Sequence, residues 1–492
     1  MWGKQSIAHL LPGFQEERAH FFVLPKEQNY CISLPMKQPF SVVRASFRVH
    51  AFCVVLFFLL FVFVSPLEAA KKVRAPLGST ITMREAVLFA LKANPTLGAA
   101  HAQARSQQSA KKAALGAFGP KLGLVYSAMK QVRKSEPVPT SNPERGTYSL
   151  GVEISQPVFQ GFRLLANYQK QALQAKNDAL AVKQTRLSTT ESVQTSFISY
   201  LRASANVVSQ KEAMERLADQ LQITQAFYAT GLKPKLDVLQ AEVDFRESEQ
   251  LLLTIQNTRD TEVAKLNTLL GLSATADTHY VGTLHHVPFT RSLAACIEKA
   301  YQLRPDVTMA ALSVDIAKKD QMTVRAEYYP QIEAYYTVTN TGNTPDLKRA
   351  GENGSRYSSW EVGAKATWNV FQWGTTYHAD QQAGHLVTKV RYQEQELRLQ
   401  VGYEVKTKYL ALREAEKRIG VAEAGERSAA LAYQQALARY REQVGTGFDV
   451  LDTSAKLTQA RFSLTSAYAD YLTALAQLFA AMGEEHPDIL HS

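Results

Sequence analysis

The sequence predicts a mixed α+β membrane protein that is built from two copies of one unit. Three observations support this prediction: a motif that occurs twice, four segments with strand periodicity, and two long segments without proline. The motif that begins at Tyr228 returns at Tyr440, 212 positions later, and Asp237-Val-Leu and Asp449-Val-Leu occupy the same place in each copy. A period this long indicates an internal duplication of half the structure, because solenoid repeats are much shorter.

The first 70 residues have the layout of a leader. Residues 51–64 are apolar, and basic residues such as Arg48 precede them. This arrangement is typical of a secretory signal peptide. As a helix, the apolar run would span about 21 Å, which is short of the ~30 Å hydrocarbon core of a membrane. We therefore predict a signal peptide within leader residues 1–70, and we interpret Met36 as the true start of translation.

The remainder of the chain divides according to the repeat. Gly271 and Gly483, again 212 positions apart, mark the ends of the two copies. The sequence predicts a first structural repeat, an inter-repeat linker, a second structural repeat and a tail at residues 71–272, 273–291, 292–483 and 484–492, respectively.

The composition excludes several kinds of site. The net charge is +10, from 55 basic and 45 acidic residues that are interspersed along the chain. No basic patch is interleaved with aromatic residues, so this charge indicates a solvated surface and not a nucleic-acid surface. Cys296 is the only cysteine outside the leader, which excludes an internal disulfide and a four-thiolate zinc site. Its apolar helical surroundings favour a buried, inert thiol.

Each copy contains two segments in which apolar and polar residues alternate, as they do in strands. The apolar positions are Leu122, Leu124, Tyr126 and Ala128; Tyr148, Leu150, Val152 and Ile154; Ile332, Ala334, Tyr336 and Val338; and Trp360, Val362, Ala364, Ala366, Trp368 and Val370. A polar, turn-rich loop joins the two strands of each copy, at residues 134–143 and 340–354. We therefore predict two hairpins.

These strands have two interpretations. The strands of a soluble sandwich would alternate in the same way. Trp360 and Trp368, near the ends of one outer face, resemble the aromatic girdles of a membrane barrel. Outside the leader no stretch of the sequence approaches eighteen consecutive apolar residues, so any membrane-spanning part must consist of strands. We favour the membrane barrel.

A long helix is predicted after each hairpin. Residues 161–230 and 374–443 contain no proline, and a helix of this length would extend about 100 Å. A shorter helix follows in each copy, at residues 234–270 and 446–482, and its heptad spacing indicates lateral packing of the coiled-coil kind.

A further helix opens each copy. Thr82 and Glu85 form a capping box ahead of an apolar run in the first copy. We predict a single helix of about 35 residues there, which stacks end to end with the last helix of the copy and so matches the long helix in length.

Four strands are too few to close a membrane barrel. The smallest barrels formed by a single chain have eight strands, and an open edge in lipid leaves backbone groups unsatisfied at several kcal/mol each. Several chains must therefore share one barrel. The strand count requires more than one chain, and two or three are the simplest numbers.

The order of the elements resembles that of the TolC-like outer-membrane factor family. A signal is followed by a helix, a hairpin, a long helix, the tyrosine-led motif and a final helix, and all but the signal occur twice. The segments 156–163 and 369–374 are similar to the strand-to-helix junctions of that family. The resemblance covers about residues 80–483.

The resemblance implies a homotrimer in which twelve strands, four from each chain, form one barrel in the outer membrane. The helices would continue it as an α-helical barrel in the periplasm that docks onto an adaptor protein and an inner-membrane pump. The implied function is passive passage in efflux or type I secretion, with the cargo left open. No cofactor is expected, and no nucleophile, phosphate loop or metal motif suggests an enzyme. The alternative is a secreted coiled-coil rod with a structural or adhesive role.

The resemblance also implies a periplasmic gate at the turn between the long and short helices. Residues at the positions of Asp449 and Asp452 line the constriction in the family, and Asp237, Tyr228 and Tyr440 belong to the same region of this chain. Three copies would bring six carboxylates of Asp449 and Asp452 together. Such a ring would favour cations, and bound multivalent cations could block the pore.

A simpler role for Asp449 is also open. Thr446 and Asp449 form a capping box at the start of the last helix, and Asp449 could serve only there, as Asp237 could in the first copy. Pro234 replaces the expected hydroxyl residue in the first copy, and proline suits the first position of a helix. Asp452 is not needed for a cap.

The turns themselves are candidates for adaptor contact by family analogy. The residues are Gly231, Leu232, Val444 and Gly445. Their alternative role is to reverse the chain between two helices. Gln443 stands where the family usually has a glycine, at a place that often requires a positive φ, and this predicts a reshaped or strained turn. Gly445 stands where some members have an arginine that holds the entrance shut.

Overall fold

The computed structural model describes residues 80–131, 145–349 and 355–490. The predicted leader, including Met36, the loop at residues 134–143 and the last two residues lie outside the described residues. The strands are β1 (Thr80–Ile81), β2 (Lys121–Gln131), β3 (Arg145–Gln160), β4 (His279–Tyr280), β5 (Gln331–Gly342) and β6 (Tyr357–Thr367). The helices are α1 (Met83–Ala93), α2 (Pro95–Gly116), α3 (Arg163–Ala229), α4 (Lys235–Leu269), α5 (Leu293–Leu303), α6 (Pro305–Arg325), α7 (Thr375–Arg441) and α8 (Gly447–Ala481).

The opening helix of each copy is divided in two, so the prediction of one 35-residue helix is wrong. The break lies at Asn94 and Arg304, which both have extended backbones and precede a proline. The ring of a following proline disfavours the helical conformation of the residue before it. The first piece begins as predicted, because the capping box of Thr82 and Glu85 is present.

Strands β2, β3, β5 and β6 form one antiparallel sheet in the order β2-β3-β5-β6. The predicted apolar positions meet across every pair: Leu124 lies opposite Val152, Val152 opposite Val338, and Tyr336 opposite Val362. All four strands therefore contribute to one apolar face, as their alternation predicted.

Strand β6 is shorter than its alternation suggested. It ends at Thr367, which lies opposite Gln331 at the start of β5, so Trp368 and Val370 fall beyond the strand. In the first copy β3 continues to Gln160 because β5 pairs with it along that length. In the part of the chain that the structure describes, no strand pairs with the outer edge of β6 or β2.

The long helices α3 and α7 each have 67 residues, which confirms the two proline-free rods. Helix α3 packs against α2 and α4 on one side and against α6 and α8 on the other, and α7 packs against α6 and α8. The helices therefore form one layer, which begins with the α2 and α4 pair and ends with α7. Its two ends correspond to the two open edges of the sheet.

The predicted end-to-end stacking of short helices is present. The side-chain amide of Asn94, at the start of α2, donates to the carbonyl of Leu269 at the end of α4 with a distance of 2.8 Å. In the second copy Arg304 donates to the carbonyl of Ala481 over 3.1 Å, at the junction of α6 and α8. Arg304 also forms ion pairs with Asp306 and Glu404. Each junction thus satisfies carbonyls that the helix end leaves free.

The main core lies around these junctions. It includes α1, α5, the middle of α3 and the C-terminal half of α8. Cys296 is fully buried there, and burial raises the pKa of its thiol, so the expected buried thiol is confirmed. The tail packs on the same core through Ile489 and Leu490, while Glu484 is paired with Arg291 and Lys299.

The strand-to-helix junctions carry two consecutive residues with positive φ. They are Gly161 and Phe162 in the first copy, and Trp373 and Gly374 in the second. The backbone geometry is thus conserved between the copies although the order of large and small side chains is reversed. Trp373 holds a conformation that L-residues with a Cβ adopt at a cost of about 1–2 kcal/mol.

Candidate gate and docking site at the helical turns

The turn of the first copy reverses the chain between α3 and α4. Gly231 has a φ of +74°, its N–H donates to the carbonyl of Tyr228, and the N–H of Leu232 donates to that of Phe227. These bonds satisfy the last carbonyls of α3 in a Schellman motif. Helix α4 then begins after Pro234 without a side-chain cap.

The turn of the second copy has the same bonds with different residues. Gln443 has a φ of +61°, its N–H donates to Tyr440, and the N–H of Val444 donates to Arg439. The predicted reshaping is therefore absent, and the predicted strain is present as a positive φ at a residue with a side chain. Gly445 adds a third bond, because its N–H also donates to the carbonyl of Arg439 over 3.0 Å.

A capping box starts α8, as predicted. The N–H of Asp449 donates to the Thr446 hydroxyl over 3.1 Å, and the Asp449 carboxylate accepts from the Thr446 hydroxyl at 2.7 Å and from its N–H at 3.1 Å. The hydroxyl bond, followed by the N–H bond, lowers the pKa of the Asp449 carboxyl below its ordinary value. Asp449 therefore remains ionised although it lies within a cap.

The other two candidate carboxylates have lysine partners on their own segments. Asp452 lies 2.7 Å from the Lys456 ammonium one helical turn further along α8. Asp237 lies 3.5 Å from the ammonium of Lys233, which belongs to the turn of the first copy. Both pairs are partly exposed to solvent and contribute little to stability. They also partly neutralise these carboxylates, which leaves Asp449 as the candidate carboxylate without such a lysine pair.

The two motif tyrosines have different environments. Tyr440 is 1% exposed, whereas Tyr228 is 47% exposed. The Tyr440 hydroxyl lies 3.1 Å from the hydroxyl of Thr224, which itself donates to the carbonyl of Gln220. The ring of Tyr440 packs edge-on against Phe227 with a centroid distance of 5.6 Å. Tyr440 therefore ties the turn of the second copy to helix α3 of the first.

A cavity of about 360 Å³ lies between the two turns. Its lining brings together Asp237, Tyr440 and Thr446, whereas Tyr228, Asp449 and Asp452 do not line it. The Lys233 ammonium lies 5.8 Å from the centroid of the Tyr440 ring and so contacts both copies. Lys233 could not be identified from the sequence, because nothing in the linear motif shows that it approaches a residue more than 200 positions away.

The candidate docking residues lie at the surface. Leu232 and Val444 are exposed apolar side chains, Gly231 is exposed, and Gly445 is half-buried. Two further apolar side chains that were not among the sequence candidates, Leu236 and Phe448, are also exposed, and they follow Leu232 and Val444 by four residues. Their spacing of four residues from Leu232 and Val444, in both copies, is the signal that could have found them.

The two girdle candidates lie near opposite ends of β6. Trp360 is within the strand, opposite Val338, and Trp368 follows its end. Both side chains are largely exposed, and the indole N–H of Trp368 donates to the carbonyl of Tyr328. Trp373 is 89% exposed and was not identified as a candidate from the sequence.

Among the described helices, none combines the length and apolar character that a membrane span requires. Within residues 80–131, 145–349 and 355–490, no group of three or more His, Cys, Asp or Glu side chains is arranged to hold a metal ion.

Long helices that continue into an amphipathic four-stranded sheet define the fold of the TolC-like channel proteins. The structure of the Campylobacter jejuni CmeC outer membrane channel is similar to this chain, with a TM-score of 0.72 at 15% identity over 84% of this chain and 90% of that chain. The outer membrane protein TolC of Vibrio cholerae is 24% identical over 401 residues, which are 79% of this chain and 88% of that protein. The alkaline protease secretion protein AprF of Pseudomonas aeruginosa is 23% identical over 337 residues, 68% of this chain and 69% of that protein.

A model of the outer membrane efflux protein family matches residues 89–272 and 296–484. The chain belongs to this family. Its location is accordingly the outer membrane, and its class is that of efflux and secretion channels and not of enzymes. The family model matches each copy of the repeat separately.

Proposed function

We propose that three copies of this chain form one channel through the outer membrane, which works passively in a tripartite efflux or type I secretion system. One observation supports this most directly. Within the part of the chain that the structure describes, the sheet and the helix layer are both open at two edges, and the open edges coincide: β2 with α2 and α4 on one side, β6 with α7 on the other. Unlike edges of this kind pair head to tail and close into a ring.

The side chains at the open helical edges support the same assembly. Helix α7 exposes an apolar stripe that lies within roughly 40° on one face of a helix with 3.6 residues per turn. Its members are Tyr392, Leu399, Tyr403, Leu410 and Val421. Helix α4 exposes Leu236, Leu239 and Val243 at the other edge. Two unpartnered apolar faces at opposite ends of one layer favour burial against neighbouring copies.

The dimensions agree with an outer membrane and a periplasmic extension. Trp360 and Trp368 are eight residues apart, and a strand of that length extends about 26 Å. At the 35–45° tilt of barrel strands this is a rise of about 20 Å along the membrane normal, comparable with the ~25 Å apolar band of a membrane barrel. Twelve strands would then come from three chains. The 67-residue helices extend about 100 Å, which supports a helical barrel reaching far into the periplasm.

The turns would form the periplasmic entrance. Leu232 and Val444, with Gly231 and Gly445 beside them, would contact the adaptor that links the channel to an inner-membrane pump. Asp449 would form the carboxylate ring of the gate together with Asp452, which is paired with Lys456. Tyr440 and Asp237 would stabilise the two turns that carry this ring. We also propose that the two structural repeats span residues 71–272 and 292–483.

The assembly is tested by extracting outer membranes with detergent. The channel should partition with them as a heat-resistant trimer, whereas a secreted coiled-coil rod would not. Recovery of a water-soluble monomer would refute the channel.

The gate is tested by conductance of the purified trimer in a planar bilayer. Replacing Asp449 and Asp452 together by alanine should reduce cation selectivity and block by divalent cations, since the ring of charge is lost. Asp315→Ala, which removes an exposed carboxylate on α6 away from the turns, is the matched control and should leave both unchanged. Unchanged selectivity and block in the double variant would contradict the gate.

The docking surface is tested by cross-linking in cells. A cysteine at Val444 should capture a periplasmic adaptor, and a cysteine at Val208, which is also exposed but lies on the middle of α3, should not. Equal capture from both positions would reject the turns as the docking surface.

A further inference from the structure

A second cavity, of about 420 Å³, lies between helices α3, α4 and α8. Leu451 lines both this cavity and the one between the two turns, so the two cavities are neighbours along α8. The volume lies within the range of small-molecule sites. None of the candidate gate carboxylates Asp237, Asp449 and Asp452 lines it. The cavity is therefore separate from the candidate gate, and it can be tested without knowledge of the number of chains in the channel.

Two side chains that line this cavity carry an oxygen atom without a donor. Gln210 is 2% exposed, and its amide nitrogen donates to the Ser248 carbonyl over 3.1 Å and to the Ser248 hydroxyl over 2.9 Å. These bonds identify the other end of the amide as the oxygen, and Gln210 Oε1 has no hydrogen-bond partner among the described residues. Asp244 Oδ2 is also buried without a partner in that part of the chain. Buried acceptors without a donor are unfavourable, so these atoms indicate a ligand that carries donors.

The α4 side of the cavity is negatively charged. Asp244 and Glu247 both line it, three residues apart on one helical face. Burial, followed by the Glu247 carboxylate, raises the pKa of Asp244 above its ordinary value. A bound cation would oppose both effects. On the α8 side, the Arg216 guanidinium donates to the hydroxyls of Ser454 and Thr458 over 3.3 and 2.8 Å, so this positive charge is held by hydroxyls and not by the two carboxylates.

The second copy of the repeat does not contain these acceptors. At a shift of 212 positions, the counterparts of the glutamine, the aspartate and the glutamate are Ala422, Lys456 and Gln459. The same pair of a long and a short helix therefore forms in the second copy without them. Packing of the helices does not require this combination of carboxylates and an unpartnered amide oxygen, which favours a role in binding.

We propose that this cavity binds an organic cation, namely a primary ammonium that is attached to a small apolar group. An ammonium supplies a positive charge and three donors for the oxygens of Gln210, Asp244 and Glu247. The apolar group would pack against the apolar part of the lining, which a bare metal ion would leave without a contact. That part consists of Leu217, Leu251, Leu451 and Phe462. Because α4 belongs to the first copy and α8 to the second, the bound cation would link the two copies near the start of both helices.

Binding is tested by calorimetric titration of the purified protein in detergent with 2-phenylethylammonium. We expect saturable binding, and roughly tenfold weaker binding of 2-phenylethanol, which keeps the ring and lacks the charge. The variant Asp244→Asn with Glu247→Gln should weaken ammonium binding by roughly tenfold, and Gln210→Leu should weaken it by about threefold. The matched control is Glu242→Gln with Glu249→Gln, which removes two carboxylates of α4 that do not line the cavity. Its affinity should stay within about twofold of the unchanged protein.

Hydrogen exchange locates the bound cation. 2-Phenylethylammonium should slow amide exchange in residues 244–251 of α4 and in residues 451–459 of α8, and it should leave α6 unchanged. The absence of saturable binding, equal affinity for the ammonium and the alcohol, or equal affinity of the Asp244 and Glu247 variant and its control would overturn the proposal. Tighter binding of Ca²⁺ than of the ammonium, lost in the same variant, would also overturn it. Each of these outcomes leaves the proposed channel intact, because the channel is tested by recovery of the trimer from outer membranes.

Discussion

The two turns between long and short helices have one backbone geometry and different side chains. The first copy has Gly231 at the position of positive φ and starts α4 at Pro234 without a side-chain cap. The second copy has Gln443 at that position and starts α8 with the capping box of Thr446 and Asp449. One turn thus avoids backbone strain, and the other offsets strain with a strong cap. The comparison shows that a duplicated structure keeps its geometry while its local sources of stability change.

The largest difference between the turns should come from their tyrosines. Tyr440→Ala removes a buried ring and should lower the free energy of local opening by about 3 kcal/mol, which makes amide exchange roughly 100-fold faster. Tyr228→Ala is the matched control and should change the free energy of local opening by less than about 0.5 kcal/mol, because Tyr228 is half exposed. Hydrogen exchange of the purified protein over residues 220–232 and 436–450 measures both. Similar effects of the two variants would contradict the packing of Tyr440 between the copies.

The cap should have the next largest effect. Thr446→Ala removes the hydroxyl that accepts from the Asp449 N–H and should destabilise the start of α8 by about 1 kcal/mol. Exchange of the first-turn amides of α8 should then be several-fold faster, while that of α4 stays unchanged. Pro234→Ala is the matched change in the first copy and should have no effect on capping, since Pro234 makes no side-chain cap bond. Unchanged amide exchange at the start of α8 in Thr446→Ala would mean that water replaces the cap without a loss of stability.

Exchanging the residues with positive φ should have effects of opposite sign. Gln443→Gly relieves the left-handed strain and should stabilise the second turn by about 1 kcal/mol, and Gly231→Gln should destabilise the first by a similar amount. The midpoint of protease cleavage at each turn, measured against denaturant concentration, reports the change. Loss of stability in Gln443→Gly would show that the glutamine side chain makes a contribution larger than its strain.

The smallest effect concerns pH and belongs to the second turn. The pKa of Asp449 is lowered in the folded state by its bonds from Thr446. Its contribution is therefore fully present above the ordinary pKa of an aspartate, about 3.9, and is lost as pH falls through the lower folded value. Protection of the α8 first turn from exchange, corrected for intrinsic rates, should decrease below about pH 4. Thr446→Ala should reduce this pH dependence, and an equal dependence in both proteins would exclude the cap as its origin.

Much of the fold followed from local pattern. Alternation identified the four strands and their apolar face, and the absence of proline identified the long helices. Prolines also decided one error, because Pro95 and Pro305 divide helices that we expected to be continuous. The capping boxes at Thr82 and Thr446 were predictable because all of their atoms lie within four residues.

The site was only partly predictable for the opposite reason. The contact of Lys233 with Tyr440, the burial of Tyr440 and the exposure of Tyr228 depend on how the second copy lies against the first. The motif places both tyrosines at equivalent positions and so predicts the same role for both, since it contains no information about neighbours that are distant in sequence.

The sequence by itself determined the duplication, the strand and helix periodicities and the positions of the caps, because hydrophobic period and backbone propensity act between residues a few positions apart. Only the tertiary structure decided which edges remain open, where β6 ends, and which tyrosine becomes buried. These features depend on pairing between segments far apart in the chain, and a strand or helix acquires its partner only when the chain is folded.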